Sequence, residues 1–156
     1  MPARPPALPL RLLAVALGLA AVLGAGCEDA ERNEAQLLLD RLARVEDDGP
    51  VALRRRALDS VGRLGLAAPE VVRVRDACVR AHDALLTAEQ EQEGARAALE
   101  RATASGAQLA PDAAARIAGA IARSDQAIAR SRALFPACQD GQRSLALRFG
   151  GRAHAP

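Results

Sequence analysis

The chain has 156 residues, half of them apolar and 26% charged, with a formal net charge of +2. That length holds one domain, and a core of Ala, Leu and Val with two Phe, no Trp and no Tyr favours helix packing over a sandwich or barrel, whose strands draw on aromatic and β-branched residues. Two of the 21 basic residues, Arg4 and Arg11, precede Cys27 while none of the 19 acids does, so the remainder is charge-balanced and lacks the basic excess that nucleic-acid binders use; no nucleic-acid partner is expected.

The first element is a leader. A Pro-rich start carries Arg4 and Arg11, and the stretch from Leu12 to Leu23 then holds no polar side chain. Gly24, Ala25 and Gly26 follow, and then Cys27. Basic residues, a short apolar run and small residues at a cut site describe a secretory signal peptide. The run is shorter than the ~20 residues that a permanent membrane-spanning helix needs.

The stretch Leu23-Gly24-Ala25-Gly26-Cys27 resembles the lipobox of bacterial lipoproteins. Ala25, Gly26 and Cys27 match its pattern, while Gly24 stands where Leu is usual and Leu23 sits one place early. The resemblance covers residues 1–28 alone. It implies cleavage before Cys27, a diacylglyceryl group on the Cys27 sulfur and palmitate-like acylation of the new N-terminus. Several acyl chains anchor stably where one does not. It therefore implies a periplasm-facing protein held on the cell membrane or outer membrane, and Glu28, in place of the Asp that marks inner-membrane retention, favours the outer. The expected organisation is a signal peptide over 1–26, one helical domain over 27–149 and a loose tail over 150–156.

Prolines at 50, 69, 111 and 136 punctuate the rest. Proline suits the first turn of a helix, and an acid beside it suits the positive end of the helix dipole. The spacing predicts helices over 29–45, 50–66, 69–104 and 111–135, with a short further piece over 139–148. In the third helix Val71, Val74, Cys78, Ala81, Leu85, Ala88, Gln92, Ala95, Leu99 and Ala102 alternate by three and four. In the fourth, Ala114, Ile117, Ile121, Ser124, Ile128, Ser131, Phe135 and Cys138 do the same. Such seams are what two packed helices need.

Folding the pair as a hairpin about Gln108 sets Leu99 against Ile117, Ala95 against Ile121 and Gln92 against Ser124. It also sets Cys78 against Cys138, because both are equidistant from the fold point. Two cysteines in an oxidising compartment pair by default, so a Cys78–Cys138 disulfide is expected. Val72, Val79 and Leu86 form a second apolar stripe that reaches Glu93 and Glu100. The first two helices are therefore expected on the clamped half, completing a small all-α four-helix bundle. Residues 87–123 would project as a bare two-helix arm, open to self-association or a protein partner.

Chemistry is sparse. Cys78 and His82, one turn apart, make with Cys138 a conceivable metal or ligand site, the alternative to a disulfide beside a partly exposed histidine. Glu46-Asp47-Asp48 and the acids from Glu89 to Glu93 sit in a turn and on a helix face, not in a cleft that would separate their pKa values. No nucleophile elbow surrounds a serine and no phosphate-cradling loop is visible, so neither enzyme activity nor a cofactor is expected. Arg116, Arg123 and Arg130 recur every seven residues as a possible interaction surface for an anionic envelope component, against the more ordinary reading of a solvated face. Arg54-Arg55-Arg56 reads the same two ways. The expectation is a non-catalytic envelope lipoprotein acting through helix contacts.

Overall fold

A computed structural model describes the backbone over residues 11–104 and 109–150 and the side chains from Glu28 onward. Cys27 and the lipobox lie outside the described side chains, and residues 105–108, with the hairpin's fold point, and the 151–156 tail lie outside the described residues altogether. Four helices follow in order: α1 (Arg11–Glu46), α2 (Val51–Gly62), α3 (Pro69–Ala104) and α4 (Pro111–Phe149). No strand occurs among the described residues, and among them no helix is long and apolar enough to cross a membrane.

The prolines start the helices as expected: Pro50 precedes α2, and Pro69 and Pro111 open α3 and α4. Three boundaries differ. α1 runs back without a break to Arg11, well before residue 29. α2 ends at Gly62 rather than 66, and Arg75 donates to the Leu64 carbonyl at 2.9 Å, holding the link that follows. α4 runs continuously through Pro136 to Phe149. A proline inside a helix deletes one backbone bond and costs about 3 kcal/mol. Here its ring faces solvent, and the turns beyond it bury Cys138, Gln142, Leu145, Ala146 and Phe149, which offsets that cost. Gly150, in the left-handed region at φ 75°, then caps α4 by donating its N–H to Ala146 at 2.9 Å.

α3 and α4 form the hairpin, clamped by the Cys78–Cys138 disulfide with its Cα atoms 4.6 Å apart. α1 packs on both hairpin helices, whereas α2 touches α1 and α3 but does not approach α4. The core lies at this clamped base: Leu38, Leu42 and Val45 from α1, Leu58 and Val61 from α2, Val71 and Leu86 from α3, and Leu145 from α4 are all but inaccessible. Long-range polar contacts fix the base. The Glu34 carboxylate accepts the free N–H groups of Ala67 and Ala68, at 2.9–3.1 Å, just ahead of α3, where the helix dipole favours an anion.

The seam differs from the expected one. In each helix one position per heptad holds (Ala81, Ala88 and Ala95; Ser124, Ser131 and Cys138), while the other moves back by one residue. Ala84 is buried ahead of Leu85, and Ala120 and Ala127 are buried ahead of Ile121 and Ile128. Gln92 is exposed, so its expected pairing with Ser124 is absent, and the Ser124 hydroxyl is buried without a hydrogen-bond partner. Between the disulfide and the tip, the buried seam positions are held by Ala and Ser. The larger side chains are displaced to the edge on which α1 lies.

Candidate interaction surface

Two places carry polar or exposed features beyond the ordinary: a buried cluster under the end of α1 and the bare face of the arm. In the cluster, Gln142 donates to the Glu46 carboxylate at 3.2 Å and its amide nitrogen lies 3.7 and 3.5 Å from the sulfurs of Cys78 and Cys138. His82 stacks edge-on against Phe135 with ring centroids 5.0 Å apart. It is 2% exposed rather than partly exposed as expected. Neither ring nitrogen makes a hydrogen bond, and Nε2 lies 3.5 Å from Glu46. Both sulfurs are consumed by the S–S bond, so the Cys78, His82 and Cys138 trio has no thiolate to offer a metal. Among the described residues no group of three His, Cys, Asp or Glu side chains is placed to hold one. The cluster links α1, α3 and α4, with His82, Gln142 and the disulfide buried and Glu46 and Phe135 partly open to solvent.

The tight arginine cluster is spent on packing. Arg54 donates to the Val45 carbonyl at 3.0 Å, closing the end of α1, and to Glu89 at 2.7 Å. Arg55 bonds Asp83, Thr87 and Gln90. These contacts staple α2 to α3; Arg56 alone of the three is exposed. Beside them Leu58, Asp59, Gly62, Arg63, Val79 and Asp83 line an open groove of about 290 Å³.

On the arm, Arg116, Arg123 and Arg130 all face solvent. Arg123 bonds both oxygens of Glu91 across the hairpin at 3.0 and 2.9 Å. Those hydrogen bonds, aided by the opposite charge, hold the Glu91 carboxyl below the usual carboxylate range and raise Arg123. One member of the row is therefore a cross-hairpin staple.

The opposite edge carries the larger aliphatic side chains, with Gln92 and Gln142 among them, and its exposure follows a gradient. Along α3 the seven-residue row runs from Cys78, fully buried, through Leu85, half-buried, to Gln92 and to Leu99 at 47% exposure. Along α4 the matching row runs from Phe149 and Gln142, buried, through Phe135 and Ile128, half-buried, to Ile121 at 49%. Both rows share one face because in an antiparallel pair the positions just past the seam on each helix lie on the same side. α1 covers the base of that face: Gln36 donates to the Phe149 carbonyl at 3.4 Å and Glu46 reaches Gln142. Past the end of α1 no helix covers the face, and only Arg54 of α2 reaches its margin, at Glu89.

This edge was partly hidden in the sequence, where Leu99 and Ile121 read as seam. The signal that separates them is the alanine one place before Ile121 and Ile128 in α4. No known protein family, curated protein or solved structure matches the chain.

Proposed function

We propose that the chain is a lipid-anchored, non-catalytic protein of the bacterial cell envelope that works through the uncovered face of its helical arm. The leader and Cys27 support the anchor, and a buried disulfide fits an oxidising compartment such as the periplasm. The observation that carries the contact function is the exposure gradient along the Cys78–Leu99 and Phe149–Ile121 rows: the same face that buries its side chains under α1 leaves Leu99 and Ile121 in solvent.

Glu31 pairs with Arg148 at 3.1 Å, and Arg148 also holds Glu70, so α1 enters at the base, beside the start of α3 and the end of α4. An anchor ahead of Glu31 would enter on the side of the base, and the far end of α3 lies roughly 50 Å from its start at ~1.5 Å per residue. Metabolic labelling with palmitate tests the reading. The wild-type chain is expected to take label and fractionate with membranes, and Cys27→Ser is expected to do neither. A wild-type chain that stays unlabelled and soluble overturns it.

A further inference from the structure

Resting on that reading, we propose that the partner on the bare face is a second copy of this chain, its arm lying antiparallel in the layer that α1 vacates. α1 is one helix thick and ends at Glu46, level with His82 on the hairpin beneath it. Beyond that point the face continues with the same seven-residue rows, so the surface to be filled extends an interface already formed within the chain. A second arm offers the same length, the same width and the same rows. A parallel pair is ruled out sterically, since it would drive the two α1 helices into one space. An antiparallel pair places each tip against the turn that follows the other copy's Glu46.

That fit fixes the register. Side chains of Arg54 and Arg55 from α2 reach the start of the arm at Thr87, Glu89 and Gln90; the stretch of α3 past α1, from about Thr87 to Ala104, has its middle near Arg96, which stands level with Ala120 across the hairpin. The two-fold axis then passes beside Ile121, so each Ile121 meets its own copy, and Leu99 of one chain lies over Gln92 of the other. The arm face is roughly 30 Å long and two helices wide, which gives about 500 Å² per copy, near the lower bound for a specific interface. The pair is accordingly weak in dilute solution and strengthened where anchors concentrate the copies. The two Arg96 guanidinium groups also approach across the axis. Salt therefore tightens this pair by screening their repulsion, whereas an acidic partner held on the Arg116–Arg130 row would be released by salt.

The test uses the full chain in membranes. Ile121→Cys is expected to form a disulfide-linked dimer under mild oxidation, because its position is on the axis and half exposed. Arg130→Cys, exposed on the opposite edge, is expected to remain monomeric. Ile121→Asp is expected to abolish chemical cross-linking of the otherwise wild-type chain, and added salt to increase it. An Ile121→Cys chain that stays monomeric, or one that cross-links no better than Arg130→Cys, overturns the proposal. The mass of the Cys27 peptide, read on the same sample, separates the two ideas. Cross-linking without acylation removes the anchor and leaves the pair; acylation with monomers removes the pair alone.

Discussion

The base and the arm of one hairpin are built on different chemistry. At the base, Leu, Val and Phe from four helices surround a disulfide, and large side chains such as Leu38, Leu86 and Leu145 are sealed. On the arm, Ala88, Ala95, Ala120, Ser124 and Ala127 make the seam, and the large side chains Leu99 and Ile121 are left outside it. At about 25 cal/mol per Å² of apolar burial, an alanine seam contributes little per layer. The arm is thus held by the base from which it extends, and stability falls along the hairpin from the disulfide toward the tip.

Several measurements sharpen or break that contrast. Replacing Cys78 and Cys138 together by Ser opens a loop with a sequence separation of 60 and is expected to cost about 4 kcal/mol in the chain-entropy account. Denaturant unfolding with and without reductant reads it, and an unchanged midpoint would show that the base does not depend on the clamp. Leu86→Ala at the base is expected to cost about 3 kcal/mol, against under about 0.5 for Leu99→Ala on the arm. Equal losses would erase the distinction.

The glycines make a finer comparison. A Cβ on Gly141 would lie 2.8 Å from Val74 Cγ2, whereas one on Gly94 meets nothing within 4 Å. Gly141→Ala should therefore destabilise by roughly 1–3 kcal/mol through overpacking. Gly94→Ala, in an open helix interior, should stabilise by about 0.5–1 kcal/mol. The same sign for both in thermal melts would contradict the close packing at the base.

The smallest effect is electrostatic. Because Arg123 depresses the Glu91 carboxyl, their pair contributes at neutral pH, and its contribution is lost only as pH falls through that lowered value. An NMR titration is expected to find the Glu91 midpoint below that of an ordinary glutamate and to see it rise in Arg123→Gln. Thermal midpoints should barely move, as befits a pair open to water.

The local punctuation was legible in the sequence. Pro50, Pro69 and Pro111 marked helix starts, and the three-four spacing announced a hairpin. Cys78 and Cys138 fell opposite each other when it was folded about Gln108. The apolar stripe through Val79 and Leu86 located the first two helices on the clamped half, although α1, expected to be short, is as long as α3. Pro136 misled, because the cost of a proline is local while the burial that outweighs it, at Leu145 and Phe149, is supplied by α1. His82 misled likewise: one turn from Cys78 it reads as a surface neighbour, and it is Phe135 across the hairpin and Glu46 from α1 that close over it.

What the amino-acid order determined by itself was periodicity, and with it which helices exist and which layers meet. Periodicity leaves the roll of each helix about its axis free by a residue, since Ala120 and Ile121 both continue a three-four pattern. Tertiary packing decided that roll. Small residues, Ala120, Ser124 and Ala127, take the buried seam of α4, and α1 supplies a surface for the displaced side chains only as far as Glu46. The exposed edge of the arm is the remainder of that decision, set by how far a neighbouring helix reaches rather than by any residue in the arm.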